Sequence, residues 1–304
     1  AEEAAKAYQK AHDLEPQNAN YINSLGILYY KQGNYPKAIE YYIKTLEYKP
    51  DDPIGHENLG LAYEKAGQLE EAEATLLKAF ELSPEKAFYA NLIGNFYYRN
   101  KIDDKAAEFY GKAIQEEDSN PIYYENLGLA LEGLQQYDKA LEAYQNAANR
   151  APQDGRYPNR IGLLYYSLGQ NEQAVSFYNK AIALTPDQPI AYENLGLALE
   201  RLGRLDEALQ QFNTALNLSK EKDFYHNLIG NFYYRHRRDE MAAEHYQKAI
   251  EADPTKAVYH ENLALAHQGL QNWEAAEKAY LNGLQLNPDN PTPHNRLGIV
   301  YYST

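Results

Sequence analysis

Apolar residues along this chain fall into two alternating stripes. From Ala19 onward, Ile22, Leu25, Gly26 and Tyr29 keep the i, i+3, i+4, i+7 spacing of one helix face, which predicts an amphipathic helix, here helix A. Ala38, Ile39, Tyr42 and Leu46 mark a second stripe on a second helix, helix B. The pair returns at a constant interval, as Gly26, Gly60 and Gly94 show for helix A and Ala38, Ala72 and Ala106 for helix B. With Ala19 as position 1, eight complete repeats run through 19–290 without insertion or deletion. A period this strict overrides the length prior of two ordinary domains and predicts a stack of helical hairpins with one continuous core.

The turns are marked by residues suited to them. Gly33, Gly67, Gly169 and Gly203 share position 15, where a residue tolerating positive φ ends helix A. Pro16, Pro50, Pro84, Pro152, Pro186, Pro254 and Pro288 share position 32 and stop helix B. Asp52-Pro53, Asn120-Pro121 and Asn290-Pro291 give an N-cap side chain followed by proline in the first turn of the next helix A. Position 20 is alanine in every copy, from Ala4 and Ala38 through Ala140 to Ala276, and position 8 is glycine except at Ala264. Small residues at fixed places predict close approach of the two helices of a hairpin.

A longer period lies over the shorter one. Glu193-Asn194-Leu195-Gly196-Leu197-Ala198 returns with small changes at 57–62, 125–130 and 261–266, two repeats apart each time. The sister form Asn91-Leu92-Ile93-Gly94-Asn95 returns four repeats on as Asn227-Leu228-Ile229-Gly230-Asn231. The array reads as a four-repeat block, 19–154, duplicated once as 155–290.

The set Leu25, Gly26, Tyr29, Ala38, Tyr42 and Pro50, recurring once per repeat, resembles the tetratricopeptide repeat (TPR), and the resemblance covers the whole chain. It implies an all-α, right-handed α-solenoid (superhelix) of helix-turn-helix repeats. Departures are local: position 4 is His56, Ala90 or Pro158 where the family has a large residue, and position 32 is Asp118 or Lys220 in two copies.

The chain is flanked by half repeats. Residues 1–18 form a helix B with no helix A before it, and 291–304 a helix A with no helix B after it. Ala4, Tyr8 and Ala11 at one end, and Leu297, Val300 and Tyr301 at the other, are therefore expected to be exposed, each large apolar side chain left wet forfeiting ~1.5–3 kcal/mol. Such ends suit either an excerpt of a longer array or head-to-tail pairing between molecules, which is heterologous and generates an open filament. The last helix A belongs to the first repeat type of the block, whereas 1–18 matches the fourth, so a filament joint would break the register of the four-repeat block.

Composition narrows the partners. A net charge of -14 and the lack of a Lys/Arg-dense segment argue against nucleic acid and anionic membrane, and favour a protein or peptide that is neutral to basic. No apolar run is long enough to span a bilayer. With no cysteine, disulfides, thiolate metal sites and cysteine nucleophiles are excluded. Tyrosine is over-represented, with 30 copies against one tryptophan, so the repeat must place many of them.

In the family the A helices line the concave face, and the resemblance implies that positions 2, 5, 6, 9, 12 and 13 look into a groove. Those positions hold Asn58, Asn126, Asn194 and Asn262 (position 6), Asn23, Asn91, Asn159, Asn227 and Asn295 (position 5), and Asn95 and Asn231 (position 9). A carboxamide both donates and accepts, so a row of them can pair with an extended backbone whatever its side chains. The row is similar to the asparagine ladder of O-linked N-acetylglucosamine transferases. The competing account is that these amides bond neighbouring hairpins and keep repeats in register; asparagine is a poor interior helix residue, so a whole row of them calls for one role or the other.

Glu57, Glu125, Glu193 and Glu261 alternate with them at position 5, and Tyr30, Tyr98, Tyr166, Tyr234 and Tyr302 stand at position 12, facing the groove in this reading. Tyr97 and Tyr110 are assigned to the core. The cationic carboxylate grip of chaperone-binding arrays is missing, with Arg160 and Arg296 alone at position 6. His226, His260 and His294 share position 4 a repeat or more apart, and His260 and His267 lie ~10 Å apart along a helix, so they read as structural or surface histidines and no metal or cofactor is expected. The run Arg235-His236-Arg237-Arg238 reads as a solvated turn. No phosphate loop or nucleophile elbow occurs. The expected function is a non-catalytic scaffold holding an extended peptide along the Asn/Tyr/Glu groove. The alternatives are a structural subunit that assembles end to end, and the targeting arm of a larger enzyme.

Overall fold

A computed structural model describes residues 2–83 and 85–303; Pro84 of the position-32 series lies outside the described residues. Among the described residues there are eighteen α-helices and no strand. The chain divides into two compact units, Ala1–Pro152 and Gln153–Thr304.

The first unit holds α1 (Glu2–Leu14), α2 (Ala19–Lys31), α3 (Tyr35–Tyr48), α4 (Pro53–Ala66), α5 (Leu69–Leu82), α6 (Lys86–Arg99), α7 (Asp103–Glu116), α8 (Pro121–Gly133) and α9 (Tyr137–Arg150). The second holds α10 (Arg156–Ser167), α11 (Asn171–Leu184), α12 (Pro189–Arg201), α13 (Leu205–Leu218), α14 (Lys222–Arg235), α15 (Asp239–Ala252), α16 (Ala257–Gly269), α17 (Trp273–Leu286) and α18 (Pro291–Ser303). Even-numbered helices are helix A and odd-numbered ones helix B, and within each unit a helix packs chiefly on its neighbours in sequence.

The local signals work as chemistry requires. The carboxylate of Asp52 accepts from Ile54 N, and the amide oxygens of Asn18, Asn120 and Asn290 accept from Asn20 N, Ile122 N and Thr292 N, each at 3.1 Å, so α2, α4, α8 and α18 have a side-chain cap. Gly33, Gly67, Gly169 and Gly203 take φ from +74 to +80°. The same left-handed turn forms where glycine is absent, at Lys101, Gln135, Arg237 and Gln271, with φ of 57 to 62°. Hairpin packing dictates that backbone, and the four side chains carry its steric cost.

Close approach is concentrated where the small residues stand. Position-20 alanines from Ala38 to Ala276 are fully buried, whereas Ala4 on α1 is exposed. At position 8 the glycine lies under the position-24 ring: a Cβ on Gly26 would sit 2.5 Å from Tyr42 Cε1, and Gly94, Gly162 and Gly230 are equally close to Tyr110, Tyr178 and Tyr246. These rings are among the largest fully buried side chains of the fold, and each contributes ~2–3 kcal/mol of apolar burial. In the second unit one apolar cluster runs from Ala174 to Val300. In the first unit the buried side chains gather in separate clusters, one from Ala72 to Ala130 and another around Ala38, Tyr42 and Leu59.

The expectation for the last helix needs correction. Leu297 and Val300 are buried, at 5% and 0% exposure, because positions 7 and 10 of a helix A pack on the preceding helix B, here α17. The open side of α18 is formed by Gly298, Ile299, Tyr301 and Tyr302, the last 94% exposed. Tyr301 still reaches back, its hydroxyl donating to Glu277 at 3.0 Å. On α1, Ala4 and Tyr8 are exposed and Ala11 is half-buried.

Candidate functional site

Positions 2, 5, 6, 9, 12 and 13 of a helix A fall within about one third of the helix circumference, because 2, 5, 9 and 12 and likewise 2, 6, 9 and 13 are three to four residues apart in succession, and so form one stripe. On that stripe the asparagines bond to one another across hairpins. In the first unit Asn58 Nδ2 donates to Asn23 Oδ1 at 3.2 Å, and Asn126 Nδ2 to Asn91 Oδ1 at 2.8 Å and more weakly to Asn95 Oδ1 at 3.4 Å. In the second, Asn194 Nδ2 donates to Asn159 Oδ1 at 3.0 Å, and Asn262 Nδ2 to Asn227 Oδ1 at 2.8 Å and to Asn231 Oδ1 at 3.4 Å. The position-9 amides take a second donor from beneath: the hydroxyls of Tyr110 and Tyr246 donate to Asn95 and Asn231 at 2.8 and 2.9 Å. Asn194 is the most enclosed, at 7% exposure; the others are half-buried except Asn295, which is exposed.

Amide pairs join an odd repeat to the following even one. The next joint, from even to odd, is made of charge and phenol. Tyr89 donates to the Glu57 carboxylate and Tyr225 to that of Glu193, both at 3.1 Å. Arg99 clamps Glu64 through two bonds of 2.8 and 2.7 Å, and Arg235 clamps Glu200 likewise at 2.9 and 2.7 Å. The ammonium groups of Lys86 and Lys222 donate to the last carbonyls of α5 and α13, where the helix dipole favours a cation. His236 adds a contact to Glu200 at 2.9 Å, so two members of the basic run are engaged with a carboxylate and only Arg237 and Arg238 fit the solvated-turn reading.

Burial holds the carboxyls of Glu57 and Glu193 above the usual carboxylate range, partly opposed by the phenol each accepts from. Glu261 accepts instead from Asn290 at 3.0 Å, and Glu125 is half-buried. Tyr30, Tyr98, Tyr166 and Tyr234 are all half-buried. The Arg201 guanidinium lies 3.6 Å from the centre of the Tyr166 ring, and the Lys101 ammonium 5.8 Å from that of Tyr98. Tyr97 and Tyr110 are core residues as expected. Burial first, and then the Glu73 carboxylate that accepts from its hydroxyl at 2.6 Å, push Tyr97 up to about 12.

Position 2 of the same stripe is apolar and exposed in six repeats. Ile54, Phe88 and Ile122 in the first unit, and Ile190, Phe224 and Val258 in the second, are 40 to 57% exposed. The family resemblance places position 2 in the groove, but the sequence alone does not single these residues out, because an apolar side chain on an amphipathic helix carries no mark of whether it stays exposed.

The position-4 histidines divide into two kinds. His56, His260 and His294 each place Nε2 against the carbonyl of the proline six residues back, at 2.8, 3.2 and 3.0 Å. Before His226 that place is Lys220, and His226 Nδ1 meets His245 Nδ1 of α15 at 3.4 Å instead. Burial lowers both rings, His245 to about 4. Among the described residues no group of three or more His, Cys, Asp or Glu side chains is placed to hold a metal ion, and no helix is long and apolar enough to cross a membrane.

Comparison with known proteins agrees with the hairpin geometry. A family profile described as TPR repeat matches residues 1–33, 162–203 and 270–304. Two described as tetratricopeptide repeat match 23–87 and 58–121, and 121–154, 189–222 and 223–256. The chain belongs to the tetratricopeptide repeat family. No curated protein matches the sequence. Among solved structures, a tetratricopeptide repeat protein from Parabacteroides merdae is similar at 16% identity and a TM-score of 0.57, over 82% of this chain and 98% of that one. The Cut9–Hcn1 hetero-tetramer of the APC/C is similar at 16% identity and a TM-score of 0.52, over 97% and 58%. MamA is similar at 26% identity and a TM-score of 0.48, over 54% and 96%.

Proposed function

We propose that the A-helix stripe of each unit holds an extended, neutral-to-basic segment of a partner protein, and that the chain is a non-catalytic scaffold. The observation that carries the reading is the exposed apolar row at position 2, which shares a stripe with the amides and carboxylates. A large apolar side chain left in water on a solenoid is a cost unless a partner covers it. Each amide pair engages one donor and one acceptor; the other halves of the carboxamides can meet the N–H and C=O of a guest backbone. The half-buried glutamates and the net charge of -14 favour lysine or arginine in the guest.

The test uses residues whose replacement leaves the core intact. Peptides selected against the chain from a random display library are titrated by calorimetry into the parent and into Ile54→Ser/Phe88→Ser/Ile122→Ser. The expected result is a loss of affinity of about tenfold or more with an unchanged melting temperature, since hot-spot contacts are apolar and central. Peptides that bind both proteins equally, or that carry no apolar and basic residues, would overturn the proposal.

A further inference from the structure

Among the touching positions at which the two four-repeat blocks differ, one pair exchanges two apolar side chains for two imidazoles. In the first block Ala90 and Phe109 are buried and apolar; the equivalent residues of the second block are His226 and His245. Two apolar positions on different helices of one hairpin have both become imidazoles, and the rings meet through Nδ1 at 3.4 Å. The other position-4 histidines place a ring nitrogen on a prolyl carbonyl, and His226 alone among them has its nitrogen turned to a second histidine.

We propose that His226 and His245 form a two-histidine site for a divalent cation that prefers tetrahedral geometry, of which Zn2+ is the type. Zn–N bonds of ~2.0–2.1 Å at the tetrahedral angle put two ligand nitrogens ~3.3–3.4 Å apart, the separation found here. Adjacent ligands in a square-planar site lie closer, ~2.9 Å, so the geometry disfavours Cu2+ and Ni2+. Binding requires each Nδ1 to present its lone pair, with the proton of each neutral ring on Nε2; the change from the present contact is a shift of tautomer, with no bond made or broken to carbon. Packing already holds the rings in place. His245 lies against Tyr233 at 5.5 Å between centroids, on helices whose close contact at Gly230 and Tyr246 keeps the hairpin closed.

Two cations and two carboxylates surround the rings. Lys248 is paired with Glu244 at 2.6 Å, Lys222 donates to carbonyls of α13, and Glu251 opposes them on the side of His226. With no third protein ligand in place among the described residues, water fills the remaining positions, and the site is an exchangeable one open to a donor from outside the chain.

The first block supplies the control, because His226→Ala with His245→Phe restores side chains already packed at the equivalent place. Zinc sulfate is titrated by calorimetry into the full chain and into that double variant, with the melting temperature of each recorded without metal. Co2+ then replaces Zn2+ for visible spectroscopy. The expected result is a single Zn2+ per parent chain, bound about tenfold or more tightly than any in the variant, and a tetrahedral Co2+ band lost with the two histidines. Equal titration of parent and variant, which would place the metal on other histidines, or a Co2+ spectrum of octahedral type, would overturn the assignment.

Discussion

Asn126 donates its side-chain amide to Asn91 of the preceding hairpin at 2.8 Å, and the bond recurs between Asn262 and Asn227 at the same distance. Two candidate roles for the asparagines, register and recognition, therefore bear on the same atoms. Asn126→Ala is expected to cost ~1 kcal/mol by leaving a half-buried amide without its partner. In urea melts the double variant Asn91→Ala/Asn126→Ala should lose less than the two single losses added together, a coupling of ~0.5–1 kcal/mol. Additive losses would show that the bond contributes nothing.

The left-handed turns without glycine offer a gain. Gln135 sits at φ 57° at a place where other repeats have glycine. Replacing it by glycine relieves ~1–2 kcal/mol of steric cost against a smaller loss of unfolded-state entropy. Gln135→Gly should raise stability by about 1 kcal/mol, and Gly203→Gln should lower it by a similar amount in the same melts.

Position 20 should tolerate nothing larger. Ala140 is fully buried between the helices of its hairpin. Ala140→Leu must push them apart and is expected to cost ~1–3 kcal/mol; a melting temperature equal to that of the parent would mean that the hairpin is looser than described.

Glu57 makes a pH prediction whose sign is fixed by its burial. Its carboxyl is raised above the ordinary value, so the folded chain binds that proton more tightly than the unfolded one. The stability it contributes is present below the ordinary carboxylate range and is lost as pH rises through the raised value. Glu57→Gln, which can still accept from Tyr89, should be more stable than the parent at neutral pH by about 1 kcal/mol or less, with the difference closing toward pH ~4. Thermal melts across that range decide it.

What the sequence disclosed was whatever depends on neighbours along the chain. Position-15 glycines, the caps at Asp52 and Asn120, and the alanine and glycine of each hairpin act within a turn or two, and the period repeats them until the reading is secure. Contacts that depend on how one hairpin seats on the next were not visible. Nothing in the spacing of Asn58 and Asn23 distinguishes a bond between them from a bond to a guest. His226 and His245 lie on different helices, and only the hairpin brings them together. Leu297 and Val300 were misplaced because a helix A has two apolar flanks, one toward the previous hairpin and one toward its own helix B, and a single stripe does not say which is which.

The alternation of joints has a mechanical consequence. Within each unit, amide pairs fasten odd repeats to even ones, with charged contacts such as Arg150–Asp118 and Tyr259–Asp223 beside them, whereas the even-to-odd joints rest on ion pairs such as Arg99–Glu64 and Arg235–Glu200, over a shorter run of packed helix. Ionic fastenings weaken with salt and at low pH; amide fastenings do not. Under tension the array should therefore yield two repeats at a time, and added salt should lower the force of those steps without changing the contour that each one releases.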